Sequence, residues 1–248
     1  MSMSPYDWAQ EFAIEQLRYE AIMKNATLHQ CIYLFVEGES EEQAIPILLE
    51  NAGLDLQKLG IVVANYNGIG NLSHVLRLMK RTLSHDRPII ATYDNDIEGA
   101  AFTSSVYKLG LDLDLVSFFP IPSEPIVCYA DGHKGGAFEE AFTLYDFINT
   151  SLTDFISEGE LSSVRSKLIE TFDSSKPWDA QIARFLHAKG HAGFSSRKTN
   201  RAVALADSCS IIPETFTQLA SAILKIRDRN LITHPDDVSL PKIPGLTI

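Results

Sequence analysis

Apolar residues along this chain change period several times, and each change marks a predicted element. From Cys31 to Val36 they run without a break, rich in aromatic and β-branched types. Such a run predicts a strand covered on both faces. Gly38 follows as a turn residue. Ser40 then stands as a helix cap, with Glu41 and Glu42 in the first turn near the positive end of the dipole. Ala44, Ile45, Leu48, Leu49 and Ala52 recur at helical spacing. Pro46 interrupts them and predicts a kink, or a helix that begins near Pro46. Residues 60–64 form a second apolar strand, and Asn65-Tyr66-Asn67 leads out of it into Gly68-Ile69-Gly70. Leu72, Val75, Leu76, Met79 and Leu83 line a helix whose other face carries Arg77, Lys80 and Arg81. Residues 88–93 predict a third strand, 100–109 a short helix, and 113–119 a further strand closed by Pro120 and Pro122.

Strands and helices alternating from Cys31 to about Ala130 argue for an α/β fold, a mainly parallel sheet flanked by helices. Residues 131–136, Asp-Gly-His-Lys-Gly-Gly, form a flexible loop. It leads to a helix with Phe138, Ala141, Phe142 and Tyr145 inward and Glu139 and Glu140 in its first turn. From Asp154 the helical period dominates, through Leu161, Val164, Leu168 and Phe172, then Trp178, Ile182 and Phe185, then Phe216, Leu219, Ile223 and Ile226. The tail from Asn230, with Pro235, Pro241 and Pro244, has no period. At the other end, Ser4-Pro5-Tyr6-Asp7 is a helix start. Trp8, Phe12, Tyr19, Ile22 and Met23 lie roughly on one face of that helix, which packs on the sheet or meets an oligomer or partner.

Composition narrows the class. The 248 residues are 45% hydrophobic, enough for a large core. The three cysteines (Cys31, Cys128, Cys209) have no CxxC spacing, so buried reduced thiols are expected, with no zinc site. No basic leader with an apolar segment and no membrane-length run is present, which points to a cytoplasmic protein without a membrane partner. The net charge of −11 argues against a protein that coats nucleic acid. One stretch departs from that acidity. From Ala180 to Ala206 there is no acid, yet Arg184, Lys189, Arg197, Lys198 and Arg201 occur. It is the best candidate for a phosphate-facing surface, the alternative being a plain basic helix end.

The chemistry concentrates at two strand ends. The first strand runs into Glu37-Gly38-Glu39-Ser40-Glu41, and the third into Asp94-Asn95-Asp96-Ile97-Glu98-Gly99. Acids at the carboxyl ends of parallel strands share the edge where ligands bind. Converging carboxylates repel one another unless a divalent cation lies between them. Two competing motifs fail. The Asp94 loop opens like an EF-hand, but Ser105 stands where the bidentate acid belongs and a strand precedes it. Gly68-Ile69-Gly70 begins a dinucleotide turn, but Ser73 replaces its third glycine. No P-loop sequence occurs.

A strand ending in Glu-Gly, followed about two βα units later by one ending in Asp-x-Asp, resembles the TOPRIM domain. The acid at Glu41, four residues after Glu37, is most similar to the OLD-family nucleases. The resemblance spans roughly residues 30–145. It implies a Rossmann-like TOPRIM core over 29–150, an N-terminal helix over 1–28, and a helical C-terminal extension and tail over 151–248. It also implies a divalent-metal-dependent endonuclease using two Mg2+ or Mn2+ ions, active on DNA ahead of RNA and serving defence against foreign nucleic acid. Asp94 and Asp96 would hold one ion, and Glu37 and Glu41 the other, with Glu37 doubling as general base. Glu98 and Glu139 are reserve ligands, Glu139 being equally a helix-dipole acid. Lys198, in a segment similar to the late OLD lysine, would offset charge on the scissile phosphate, with Arg197 and Arg201 as further nucleic-acid contacts. OLD nucleases join this domain to an ATPase, so a separately encoded ATPase is an expected partner, and a homo-oligomer is another expectation. A primase-like nucleotidyl-transfer enzyme and a non-catalytic partner-binding module are the alternatives.

Overall fold

The computed structural model describes residues 32–57, 59–82, 88–107 and 116–229. The expected N-terminal helix, Cys31, Leu83 and the proline-containing tail lie outside them. The first strand, β1, spans Ile32–Val36 and leads directly into helix α1, Glu39–Asn51. Strand β2 (Ile61–Asn65) follows, then a 3-10 turn at Ile69–Asn71 and helix α2 (Leu72–Thr82). Strand β3 (Ile89–Asp94), helix α3 (Ile97–Tyr107) and strand β4 (Val116–Ile121) complete the sheet. All four strands are parallel, in the order β2-β1-β3-β4.

The period of two along β1 assigns its side chains to opposite faces. Ile32, Leu34 and Val36 share a core with Ile90, Ile121 and the α1 residues Ala44, Ile45, Leu48 and Leu49. Phe35 packs the other way, with Ile89, Ala91, Tyr66, Leu72 and Leu76. The sheet is therefore covered on both faces, as the unbroken apolar run predicts. Helix α1 begins at Glu39 and runs through Pro46. An interior proline costs about 3 kcal/mol, while each large side chain buried in a core returns about 1.5–3 kcal/mol. Ile45, Leu48 and Leu49 are all fully buried, so packing outweighs the lost donor. The cap also differs from expectation. Gly38 precedes the helix, and Ser40 lies buried inside its first turn.

Pro120 continues β4 where a stop is expected. Among the described residues the strand is at the sheet's edge, paired only with β3, and an edge tolerates a missing donor. The loop at 131–136 contains strand β6 (Lys134–Gly135), which pairs antiparallel with β5 (Val127–Cys128). The helix expected from Phe138 to Tyr145 is two elements, a 3-10 turn at Phe138–Ala141 and helix α4, Leu144–Thr153. The Thr143 side chain caps α4 by accepting from Asp146 N at 3.1 Å, which places Tyr145 on the surface. Cys128 is likewise exposed rather than buried.

Four more helices follow: α5 (Glu158–Thr171), α6 (Trp178–Ala188), α7 (Lys198–Ser208) and α8 (Glu214–Arg229). They share one continuous core with α1 and the sheet, through Trp178, Ile182, Leu205, Phe216 and Leu219. Glu140 fastens this layer. Its carboxylate accepts from Ala137 N at 2.7 Å and from Trp178 N, at the start of α6, at 2.8 Å. No described helix is long and apolar enough to cross a membrane.

Candidate active site

β1 has β2 on one side and β3 on the other, while the chain passes from β1 to β2 and only later to β3. The carboxyl ends of β1 and β3 thus flank the point where strand order reverses, the crevice that open parallel sheets use for ligands. Glu37 directly follows β1 and Asp94 is the last residue of β3. The two acids are joined, since Asp94 N donates to Glu37 Oε2 at 3.2 Å. Asp94 Oδ1 accepts from Phe138 N at 3.0 Å, which brings the 3-10 turn carrying Glu139 to the same edge.

Glu41 arrives from the first turn of α1. Gly38 has an ordinary extended backbone (φ −148°), so its role is spatial. A Cβ there would stand 3.2 Å from Glu41 Oε2, and glycine leaves that volume to the carboxylate. Gly99 serves in a similar way behind Asp94. A Cβ on it would fall 2.0 Å from the Asp94 carbonyl oxygen, so only glycine lets α3 start so close to β3.

The fifth charged group comes from the C-terminal helices. α7 packs along α1, with Ser40 Oγ and Thr199 Oγ1 3.4 Å apart. Lys198, the first residue of α7, thereby sits with its Nζ 3.9 Å from Glu139 Oε1. Arg201, one turn later, lies behind Glu139. Its Nη2 is 3.9 Å from Glu139 Oε1 and makes a two-oxygen ion pair with Asp179, at 2.7 and 3.0 Å. Its Nη1 donates to the Phe194 carbonyl at 3.1 Å, and its guanidinium lies over the Phe194 ring.

Burial and mutual repulsion dominate the electrostatics. Glu139 is 3% and Glu41 5% exposed. Burial raises the Glu41 carboxyl above its usual range against the pull of Lys198, and Glu139 and Glu37 add to the rise. Asp94 is raised well above its usual range by burial, then by Glu41 and Glu139. The same acids, Glu139 first, raise the Lys198 ammonium and keep it charged. Among the described residues, no three His, Cys, Asp or Glu already stand as a metal-ion site. The fit is one of donor chemistry. Hard carboxylate oxygens destabilised by burial and by one another suit a hard divalent cation, whose charge would relieve the repulsion.

Glu37, Glu41, Asp94, Glu139 and Lys198 are therefore brought together. The other sequence candidates sit differently. Asp96 Oδ1 accepts from Gly99 N at 2.8 Å, an N-cap role at α3, and Glu98 in the first turn of that helix is exposed. Arg197 is exposed and pairs with Asp154 at 3.0 Å. Arg201 is 6% exposed, so it braces Glu139 from inside instead of facing solvent. Three neighbours escape sequence reasoning. Tyr66 is buried just beyond β2. Its hydroxyl donates to the Thr92 carbonyl at 2.8 Å, and burial with Glu37, Asp94 and Glu41 nearby raises it. Its place at a parallel strand's carboxyl end was the available signal. Asp179 carried none, and Glu140 read only as a first-turn acid, because Arg201 and Trp178 are remote from them in sequence.

Residues 32–96 match the model of the "Overcoming lysogenization defect protein-like, TOPRIM domain" family. Both acidic strand ends fall within that match. The fold is similar to the C-terminal region of the Burkholderia pseudomallei OLD protein, with a TM-score of 0.52 and 18% identity, covering 80% of this chain and 97% of that one. It is similar also to the C-terminal region of the Xanthomonas campestris pv. campestris OLD protein, with a TM-score of 0.51 and 18% identity, covering 84% and 97%. At that identity the likeness concerns the fold. No curated protein matches the chain. Residues 32–96 are thus similar to a TOPRIM domain of the OLD-like kind, and the four parallel strands form the expected Rossmann-like sheet.

Proposed function

We propose that this chain is a divalent-metal-dependent endonuclease that hydrolyses phosphodiester bonds in the crevice between β1 and β3. One observation carries the reading: four carboxylates from three stretches of the chain, Glu37 and Glu41, Asp94, and Glu139, gather at the switch point of a parallel sheet, with Lys198 facing the last three. Glu37, Glu41, Asp94 and Glu139 would hold divalent ions, which would supply Lewis acidity and charge neutralisation for attack of water on phosphorus.

The residues divide the remaining work. Glu37 is the candidate general base, its position fixed by the Asp94 backbone N–H. Lys198, half-exposed beside Glu139, offsets the charge that builds on the phosphate in the transition state. Arg201 and Asp179 are positioning residues that hold Glu139 in place. Asp96, with one oxygen accepting from Gly99 N, would hold an ion alongside its capping role. Glu98 stays a reserve ligand at the rim. Arg197 is the exposed candidate for a backbone phosphate.

The resemblance to OLD-family nucleases supports DNA ahead of RNA as substrate and a cytoplasmic setting. It also supports a separately encoded ATPase as partner and a role in defence against foreign nucleic acid. The test is purified protein with Mg2+ or Mn2+ on supercoiled DNA, linear DNA and structured RNA, with Asp94→Asn as control. Cleavage by the parent and none by the variant is the expected result. Equal cleavage by both, or none by either on any substrate, overturns the reading.

A further inference from the structure

A cavity of about 440 Å3 lies between the end of α4 and one face of α7. None of the four acids lines it. Its walls include Asn149, Ser151, Phe155, Arg197, Asn200 and Arg201. Ser151 Oγ and Arg201 Nε are buried and have no hydrogen-bond partner among the described residues. Ser151 is 1% exposed and Arg201 6%. A buried polar atom left unpaired is costly, and native proteins seldom keep one without a reason. Of the three residues that carry such an atom among the described residues, two, Ser151 and Arg201, also line this cavity.

We propose that the cavity binds a single nucleotide, either a free nucleoside monophosphate or the end nucleotide of a strand lying across the acids. Its volume falls within the range of small-molecule sites, about 300–1,000 Å3. Side-chain amides such as Asn149 and Asn200 match the donor and acceptor pairs of base edges. Asn149 Oδ1 accepts from Arg165 Nη1, so that residue offers its N–H2 group. Phe155 supplies a ring for base stacking. Arg197 supplies a guanidinium, whose fork suits a phosphate. Arg197 now lies over the Phe155 ring at 5.2 Å and pairs with Asp154. Both partners of that ion pair are about half exposed, and such pairs are weak in water. A phosphate can therefore draw Arg197 away and open the ring to a base.

Place in the fold adds a consequence. Arg197 and Asn200 flank Lys198 and Thr199 at the start of α7, and Arg201 reaches Glu139. A nucleotide here occupies the next position along a strand whose phosphate meets Lys198. The strand source rests on the nuclease reading; the pocket itself does not.

The test is calorimetric binding to the full chain bearing Asp94→Asn, so that nothing is cut. The probes are dAMP, a short 5′-phosphorylated single strand, and inorganic phosphate. Binding of dAMP or the strand, about tenfold tighter than phosphate, is expected. Asn200→Leu and Ala204→Trp alter exposed wall positions of α7, and each should weaken that binding about tenfold with the melting temperature unchanged. Binding of dAMP alone assigns the pocket to free nucleotide, and binding of the strand alone assigns it to strand ends. The proposal is overturned if neither binds at millimolar concentration, if phosphate binds as tightly, or if both variants bind like the parent. Variant-sensitive binding in a parent chain that cuts nothing would instead sink the nuclease reading and leave the pocket standing.

Discussion

Phe138 N donates a hydrogen bond to Asp94 Oδ1 at 3.0 Å, and this bond couples the end of β3 to the turn that presents Glu139. Asp94 thus has a structural task beside its proposed chemical one. Asp94→Asn keeps an acceptor for Phe138 N and should fold normally. Its cleavage rate should fall by at least about a hundredfold, the scale of losing one charge-stabilising group. Asp94→Ala should lose activity and also about 1–3 kcal/mol of stability, because a backbone donor is left unpaired. Gel-based cleavage assays and denaturant melts of the two variants check both parts. Equal stability of the two would show that the Phe138 bond contributes nothing.

Lys198 should separate chemistry from binding. Lys198→Ala removes the one ammonium that faces Glu139, Glu41 and Asp94 among the described residues. Turnover should drop more than affinity for nucleic acid, since charge on the phosphate peaks in the transition state. Lys198→Arg should rescue poorly, because a planar fork does not replace a compact ammonium. Single-turnover rates set beside equilibrium binding curves measure the difference. A parallel loss in both would make Lys198 a binding residue only.

Arg197 and Arg201 should behave in opposite ways. Arg197→Ala removes an exposed cation, so stability should hold. The log–log salt slope of duplex DNA binding should fall by about 0.9 for the lost phosphate contact. Arg201→Ala leaves Asp179 and buried Glu139 without their guanidinium. Removing one partner of a buried pair costs about 3–5 kcal/mol. The partial exposure of Asp179 places this case at or below the low end. Thermal melts and salt titrations of both variants sort the two roles.

Metal and pH should act together on stability. In the ion-free chain, burial and neighbouring acids raise Glu41 and Asp94 above their unfolded values. The folded state then holds more protons, so their ionisation opposes folding as pH climbs from about 4. A divalent ion held by the ionised carboxylates, as proposed, would reverse that cost. The gain in melting temperature from Mg2+ or Mn2+ should therefore be larger at pH 8 than at pH 5.5. A gain that is absent, or independent of pH, would falsify the assignment of these acids as ligands.

Glu140 should matter for docking of the helical layer rather than for chemistry. Glu140→Ala leaves Ala137 N and Trp178 N without their acceptor, at about 1–3 kcal/mol each. Glu140→Gln keeps one acceptor oxygen and should lose roughly half as much. Burial pushes the Glu140 carboxyl up to about 7. Its ionisation therefore erodes stability between about pH 4.5 and 7, and the glutamine variant should show a flatter decline across that window. Melts at several pH values read both effects.

The local chemistry of the site was legible in the linear chain because it depends on neighbours in sequence. A short unbroken apolar run rich in aromatic and β-branched residues reads as a strand covered on both faces, and the acids that follow it then lie at its carboxyl end. That reasoning places Glu37, Glu41 and Asp94 at the sheet edge, and the helical period after Asp154 likewise predicts α5, α6 and α8. Pairings across the chain were not legible. Whether Lys198 meets Glu139 depends on how α7 packs on α1, and that packing is decided by the shape of a core drawn from the whole chain. The same packing turned Arg201 from an expected surface cation into a buried brace, while Arg197, four residues earlier, stayed in solvent. Periodicity tells which residues share a helix face. Only tertiary structure decides what that face meets, because burial energy is summed over all the layers at once.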